Sequence, residues 1–175
     1  MSSARAIVLG IGNILLSDEG LGVRAIEALR RRYEFPADVE VIDGGTSGME
    51  LLDGLSCAKL LIVVDAVKAG GVPGSIVRLT GQDVPVFFRS KLSPHQIGLS
   101  DVLASLELLG EAPRETILIG VQPVRLSLGM ELSAAIRTIL PRVAEQVVTD
   151  LRSHGIDVRA RTAVGARHPG FDRTC

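Results

Sequence analysis

The sequence predicts an α/β protein, a three-layer αβα sandwich around a central, mainly parallel twisted sheet of about five strands. Three observations carry this. Short apolar runs rich in Val, Ile and Leu take turns with longer segments whose apolar residues recur at helical spacing. Runs such as KLLIVVDAV are apolar without alternation, as expected of strands covered on both faces. The runs end in glycine, aspartate or glutamine (Gly10, Asp43, Asp65, Gln122), which sets these residues at the carboxyl edge of the sheet, where open α/β sheets bind ligands.

Taken in order, Ala6–Leu9 reads as a buried strand ending at Gly10. Residues 21–33, LGVRAIEALRRRY, place Val23, Ala25, Ile26 and Leu29 at helical spacing, with Glu27 and Arg31 as an i,i+4 pair on the polar side. After the break at Pro36, VEVID (39–43) is the second strand, closed by Gly44 and Gly45. MELLDGLSCA (49–58) reads as a short helix and KLLIVVDAV (59–67) as the third strand. GGVPGS (70–75) is a turn cluster leading into SIVRLTG (75–81), whose alternation marks a half-exposed or edge strand.

Pro85–Ser93 reads as irregular chain. A helix follows, with Pro94 or Ser100 as its start and Gly110 at its end. TILIGVQP (116–123) is a further buried strand, and 131–155 a long terminal helix that Pro141 should kink or divide. Residues 1–155 are therefore expected to form a single domain, and the basic, turn-rich segment 156–175 a poorly ordered tail.

Composition narrows the function. A chain of 175 residues, 46% hydrophobic and with a net charge of −1, is long enough to bury a core and offers no basic surface for nucleic acid or membrane. The longest apolar runs, such as Leu60–Val64, are too short to cross a bilayer. The N-terminal residues run straight into a strand pattern without a secretory signal, so a cytoplasmic location is expected. The two cysteines, Cys57 and Cys175, form no C-x-x-C and suggest neither a disulfide framework nor a zinc ribbon. Cys57, in a short helix, is expected to be a buried small hydrophobe.

The segment LGIGNILLSDEG (9–20) raises two chemistries at once. Gly10 and Gly12 suggest a phosphate cradle, but the third glycine of a dinucleotide fingerprint is replaced by Leu15. Asp43 falls where a ribose-binding acid could sit, yet Asp18 and Glu19 would face the pyrophosphate with negative charge. There is no G-x-S-x-G elbow; Gly45-Thr46-Ser47-Gly48 has the wrong spacing.

Metal ligation is the stronger reading. Of the three histidines, His154 lies at a helix end, where a dipole role suffices, and His168 in the tail. His95, in a Ser-Pro-His-Gln turn, combines with Asp65 at a strand end and Glu19 at the first strand–helix junction. One imidazole and two carboxylates leave room for further ligands and suit zinc or nickel. The plainer alternatives stay open: Asp18 and Glu19 favouring the start of the 21–33 helix, Asp65 capping its turn, and His95 as an ordinary loop residue.

The stretches GIGNILLSDEGLGVRAIEAL, VIDGGTSGMELL, LLIVVDAV, LSPHQIGLSDVLASLELLG and ILIGVQP, in this order, resemble the maturation endopeptidases of nickel–iron hydrogenases, in particular those serving uptake hydrogenases. The resemblance runs from about residue 5 to about residue 150. It implies removal of a short C-terminal extension from the hydrogenase large-subunit precursor after nickel insertion. It also implies a metal set of Glu19, Asp65 and His95, with nickel supplied by the substrate and other divalent metals able to occupy the site in vitro. Asp43 falls on a position associated with recognition or cleavage, so Asp43 and Asp65 are the candidate catalytic carboxylates. A monomer that meets its precursor transiently follows from the same likeness. A non-cleaving, nickel-sensing chaperone of the large subunit would use the same three ligands.

Overall fold

A computed structural model describes residues 6–89 and 94–161, with side chains described outside residues 89–97. Five strands form the main sheet: β1 (Ala6–Ile11), β3 (Val39–Gly45), β4 (Leu60–Ala66), β5 (Ile76–Thr80) and β6 (Glu115–Val121). Their order is β3-β1-β4-β6-β5; all pairs are parallel except β5 with β6. The expected mainly parallel sheet is therefore present, and SIVRLTG, expected as a half-exposed or edge strand, is its edge and runs antiparallel.

Helices cover both faces. Helix α1 (Leu21–Arg32) and helix α5 (Ala134–Ser153) pack on the side chains of Ala6, Val8, Ile62, Val64 and Ile119. Helices α2 (Leu52–Leu55), α3 (Asp83–Arg89) and α4 (Pro94–Leu109) lie on the other face, over Ile7, Leu9, Leu61, Val63 and Leu118. The inner strands β1, β4 and β6 thus feed two apolar layers from alternate residues, which is why their buried stretches show no polar side. Glycine sets the closest approach: a Cβ on Gly22 would collide with the carbonyl oxygens of Ile11 and Val64, so α1 sits directly on the sheet backbone.

Four expectations change. Residues 83–89 are helical rather than irregular, because Val84 and Phe88 bury against the sheet and Pro85 occupies the first turn, where its missing N–H costs nothing. Helix α5 runs through Pro141 undivided, anchored on both sides by buried Ile136, Val143 and Val147. The domain extends past 155: Ile156 and Val158 are core residues, and β7 (Arg159–Ala160) pairs antiparallel with β2 (Tyr33–Glu34). The remainder of the expected tail, 162–175, lies outside the described residues. Glu27 pairs with Arg24, at 3.0 Å, rather than with Arg31.

Candidate active site

The candidate residues of the first half of the chain lie where β1, β3 and β4 end. The chain leaves β1 through α1 to reach β3 on one side, then crosses through α2 to β4 on the other. The β1/β4 boundary is therefore the topological switch point, where connections part to opposite faces and leave a crevice. Asp65 pairs with Gly120 near the end of β4 and is fully buried. Alternation along β4 puts it on the face of Leu61, Val63 and Val67, the face that α4 covers.

Glu19 lies in a 3-10 turn, Ser17–Gly20, between β1 and α1, and this turn packs against β4. The glycine loop before it is compact. Asn13 Oδ1 accepts the Leu15 N–H at 2.9 Å, the side-chain pin expected of Asn in such a turn. Gly12 has φ +140°, and a Cβ there would collide with the Glu19 carbonyl oxygen.

Asp18 has a role that the sequence did not disclose. It is fully buried, and it serves α5 rather than α1. Its Oδ2 accepts the N–H groups of Val124 and Arg125, at 3.0 and 2.8 Å, and the Ser133 hydroxyl at 2.9 Å; its Oδ1 accepts the Ser133 N–H at 2.6 Å. Ser133 is the N-cap of α5. Next to it, Ser17 donates its N–H to Gly129 O at 2.7 Å and its hydroxyl to Ser127 O at 2.9 Å, while Gly129 N–H returns to Leu15 O at 3.0 Å. The turn carrying Glu19 is thus bound along its length to the loop between β6 and α5.

His95 falls in the first turn of α4, not in a turn between sheet elements, and Pro94 starts the helix as one of its two expected signals. Its side chain lies outside the described residues. The position of that helix end is nonetheless fixed: a Cβ on Gly98 would come within 3.1 Å of Gly48 Cα, so the start of α4 rests on the loop that follows Asp43.

Asp43 is set apart. It is exposed, pairs with Gly10 in register, and its Oδ1 accepts the Gly45 N–H at 3.0 Å. Val39 and Val41 of the same strand pack on the α1 side, so alternation places Asp43 on the face opposite Asp65. With β1 between them, the two backbones are roughly 10 Å apart. A proton-sharing carboxylate pair needs about 3 Å, so Asp43 and Asp65 do not form one. Asp43 instead opens onto a groove of about 280 Å³ bounded by Gly12, Asn13, Ile14, Leu15, Val23 and Thr46.

The structure therefore sets Glu19, in the turn packed on β4, and the buried Asp65 around the β1/β4 boundary, rests the start of α4 on the loop after β3, and leaves Asp43 across β1. Among the described residues no three His, Cys, Asp or Glu groups form a metal cluster, and the His95 side chain is not one of those described. Gln122 is structural: its Oε1 accepts the N–H groups of Ala69 and Gly70, at 2.9 and 3.2 Å, and fastens the loop after β4. Cys57 is exposed, not buried, with φ +56° at the end of α2. A second cavity, of about 180 Å³ and bordered by Gly81, Glu107, Arg114 and Thr116, lies at the opposite end of the sheet. So does His154, whose Nδ1 meets Asp150 O at 2.7 Å and whose Nε2 meets Glu115 at 3.0 Å.

Fold and sequence together define an α/β protein with aspartates at its strand ends and no nucleophile elbow in its sequence. The chain belongs to the hydrogenase maturation protease family: the family HycI, hydrogenase maturation protease, matches residues 23–150. It is 44% identical over 161 residues to the hydrogenase 2 maturation protease of Escherichia coli K12, covering 91% of this chain and 98% of that protein. It is also 44% identical over 156 residues to the hydrogenase expression/formation protein HupD of Rhodobacter capsulatus, covering 88% and 74%. The solved structure of the hydrogenase maturating endopeptidase HybD from E. coli matches with a TM-score of 0.87 at 44% identity, over 90% of this chain and 98% of that one. The family resemblance read from the glycine loop and the S-P-H-Q segment is correct, and the chain is an endopeptidase of this family. No helix among the described residues is long and apolar enough to cross a membrane.

Proposed function

We propose that the chain removes the C-terminal extension of a nickel–iron hydrogenase large-subunit precursor after nickel insertion, and that it recognises the precursor through the nickel. Glu19, Asp65 and His95 are the residues that would take open coordination positions of that ion. The observation carrying this reading is Asp65: a fully buried carboxylate at the switch point, on the face covered by α4 and beside the turn that carries Glu19. Carboxylate and imidazole donors suit nickel, and three of them leave positions for groups the substrate brings. The ion belongs to the substrate; other divalent metals would compete for the same donors in vitro.

Asp43 is assigned the part of general base. A peptide anchored at the metal donors and led across the glycine loop would pass its exposed carboxylate, which would take a proton from the attacking water. Asp65, buried and on the other face, is assigned to the metal alone. A precursor without nickel would lack the ligand that anchors it, so cleavage would act as a checkpoint. The enzyme would work as a cytoplasmic monomer meeting its precursor transiently, with neither membrane nor nucleic acid involved.

The test is the mass of the precursor after incubation with the purified protein. Loss of a C-terminal peptide from nickel-loaded precursor alone is the expected result. Rapid cleavage of nickel-free precursor in the presence of chelator would remove nickel from the reading. An intact loaded precursor in stable complex would identify a nickel-sensing chaperone instead.

A further inference from the structure

We infer that Asp18 is a positioning residue, whose buried carboxylate fixes the turn that carries Glu19 by binding it to the 124–133 loop and the start of α5. This rests on the reading of Glu19 as a metal donor. Helix α5 has a cap in Ser133, whose Oγ accepts the Ile136 N–H at 3.5 Å, and Asp18 binds that cap from outside the helix. The bonds to Val124 and Arg125 lie outside that helix altogether and act only between the two loops.

The Glu19 turn, for its part, has short backbone bonds of its own, Glu19 N–H to Leu16 O at 3.2 Å among them, but needs more than these. No side chain caps its start, and Ser17 stands at φ +51°, a conformation that costs a non-glycine residue about 1–3 kcal/mol and persists only where its surroundings impose it. Those surroundings are Ser127, Gly129 and the groups around Asp18. Four donors converge on one carboxylate, three on Oδ2 and one on Oδ1. An asparagine of the same size would turn an N–H₂ group toward at least one of them, so the site requires a carboxylate. Loss of that charge would leave the turn held by the Ser17 bonds and its packing on β4 and loosen the position of Glu19.

Isothermal titration of the full-length chain with Ni²⁺ alone tests this. Asp18→Asn is expected to weaken Ni²⁺ binding by about 10-fold or more, the range found when groups that orient ligands are removed. Asp150→Asn is the control: Asp150 is also a buried carboxylate bound to an element distant in sequence, but it lies away from the site and its loss should leave the affinity unchanged. Equal weakening by both variants would assign the effect to general destabilisation and overturn the proposal. Wild-type affinity in Asp18→Asn, with Glu19→Gln weakened, would overturn it while leaving the metal reading in place. Wild-type affinity in Glu19→Gln would remove the metal reading and the proposal together. Should Asp18→Asn not fold, Ser133→Ala removes one hydroxyl donor and should give a smaller loss; an unchanged affinity there also counts against the proposal.

Discussion

The guanidinium of Arg78 grips the carboxylate of Asp150, with Nε and Nη2 at 3.1 and 3.0 Å from Oδ1, and so joins the antiparallel edge strand to the last helix. Asp150 is 5% exposed, and without Arg78 its other side-chain partner is Gln146 at 3.4 Å. Arg78→Leu should therefore destabilise the fold by about 1–2 kcal/mol, the lower part of the range for an orphaned buried acceptor, because Arg78 itself is partly solvated. Urea unfolding measures it, and processing activity should be retained.

His154 should make stability depend on pH. The backbone carbonyl of Asp150 and the Glu115 carboxylate raise its pKa above 6.5, against the opposing effect of burial. A raised pKa means that the folded chain binds the proton more tightly. The contribution is full below 6.5 and is lost as pH rises through the folded value. The stability difference between wild type and His154→Gln should therefore shrink across that window. A constant difference on both sides of 6.5 would remove the role.

Gly22→Ala should unseat α1. The added methyl meets carbonyl oxygens of Ile11 and Val64, neither of which can move without disturbing β1 or β4. A loss of about 3 kcal/mol is expected, the upper part of the range for overpacking. Processing should fall with it, since α1 begins directly after the Glu19 turn. Thermal unfolding and a cleavage assay read the two effects separately.

Asp43→Asn separates charge from structure. The amide oxygen can still accept the Gly45 N–H, so the turn survives and the melting temperature should not change. Processing of nickel-loaded precursor should slow by about 10²–10⁴-fold if Asp43 is the base. Cleavage at the wild-type rate would strip it of that part.

Much of this was legible from the chain because it is written locally. Strand ends at Gly10, Asp43 and Asp65 follow from runs of buried Val, Ile and Leu, and the glycine loop's pin by Asn13 is a two-residue matter. What stayed hidden depends on contacts far apart in sequence. Asp18 reads as a helix-start charge because its neighbours are acidic and helical; its partners are more than a hundred residues away. The opposite faces of Asp43 and Asp65 emerge only once strand order is known, since each looks alike as an aspartate closing an apolar run. Helix α3 was obscured by Pro85, which reads as a breaker until its place in a first turn is seen. Ile156 and Val158 were masked by the arginines around them.

The bonds between Asp18 and Ser133 close a span of 115 residues. During synthesis the glycine loop emerges long before the groups that fix it, because a chain is made from its N-terminus at a finite pace. Until Ser133 is outside the ribosome, the Glu19 turn has its own bonds and its packing on β4 but not its tie to α5. A nascent or truncated chain can carry Glu19, Asp65 and His95 and still lack the bonds that join the Glu19 turn to α5. A loop made among the first residues is thus fastened by the helix made among the last.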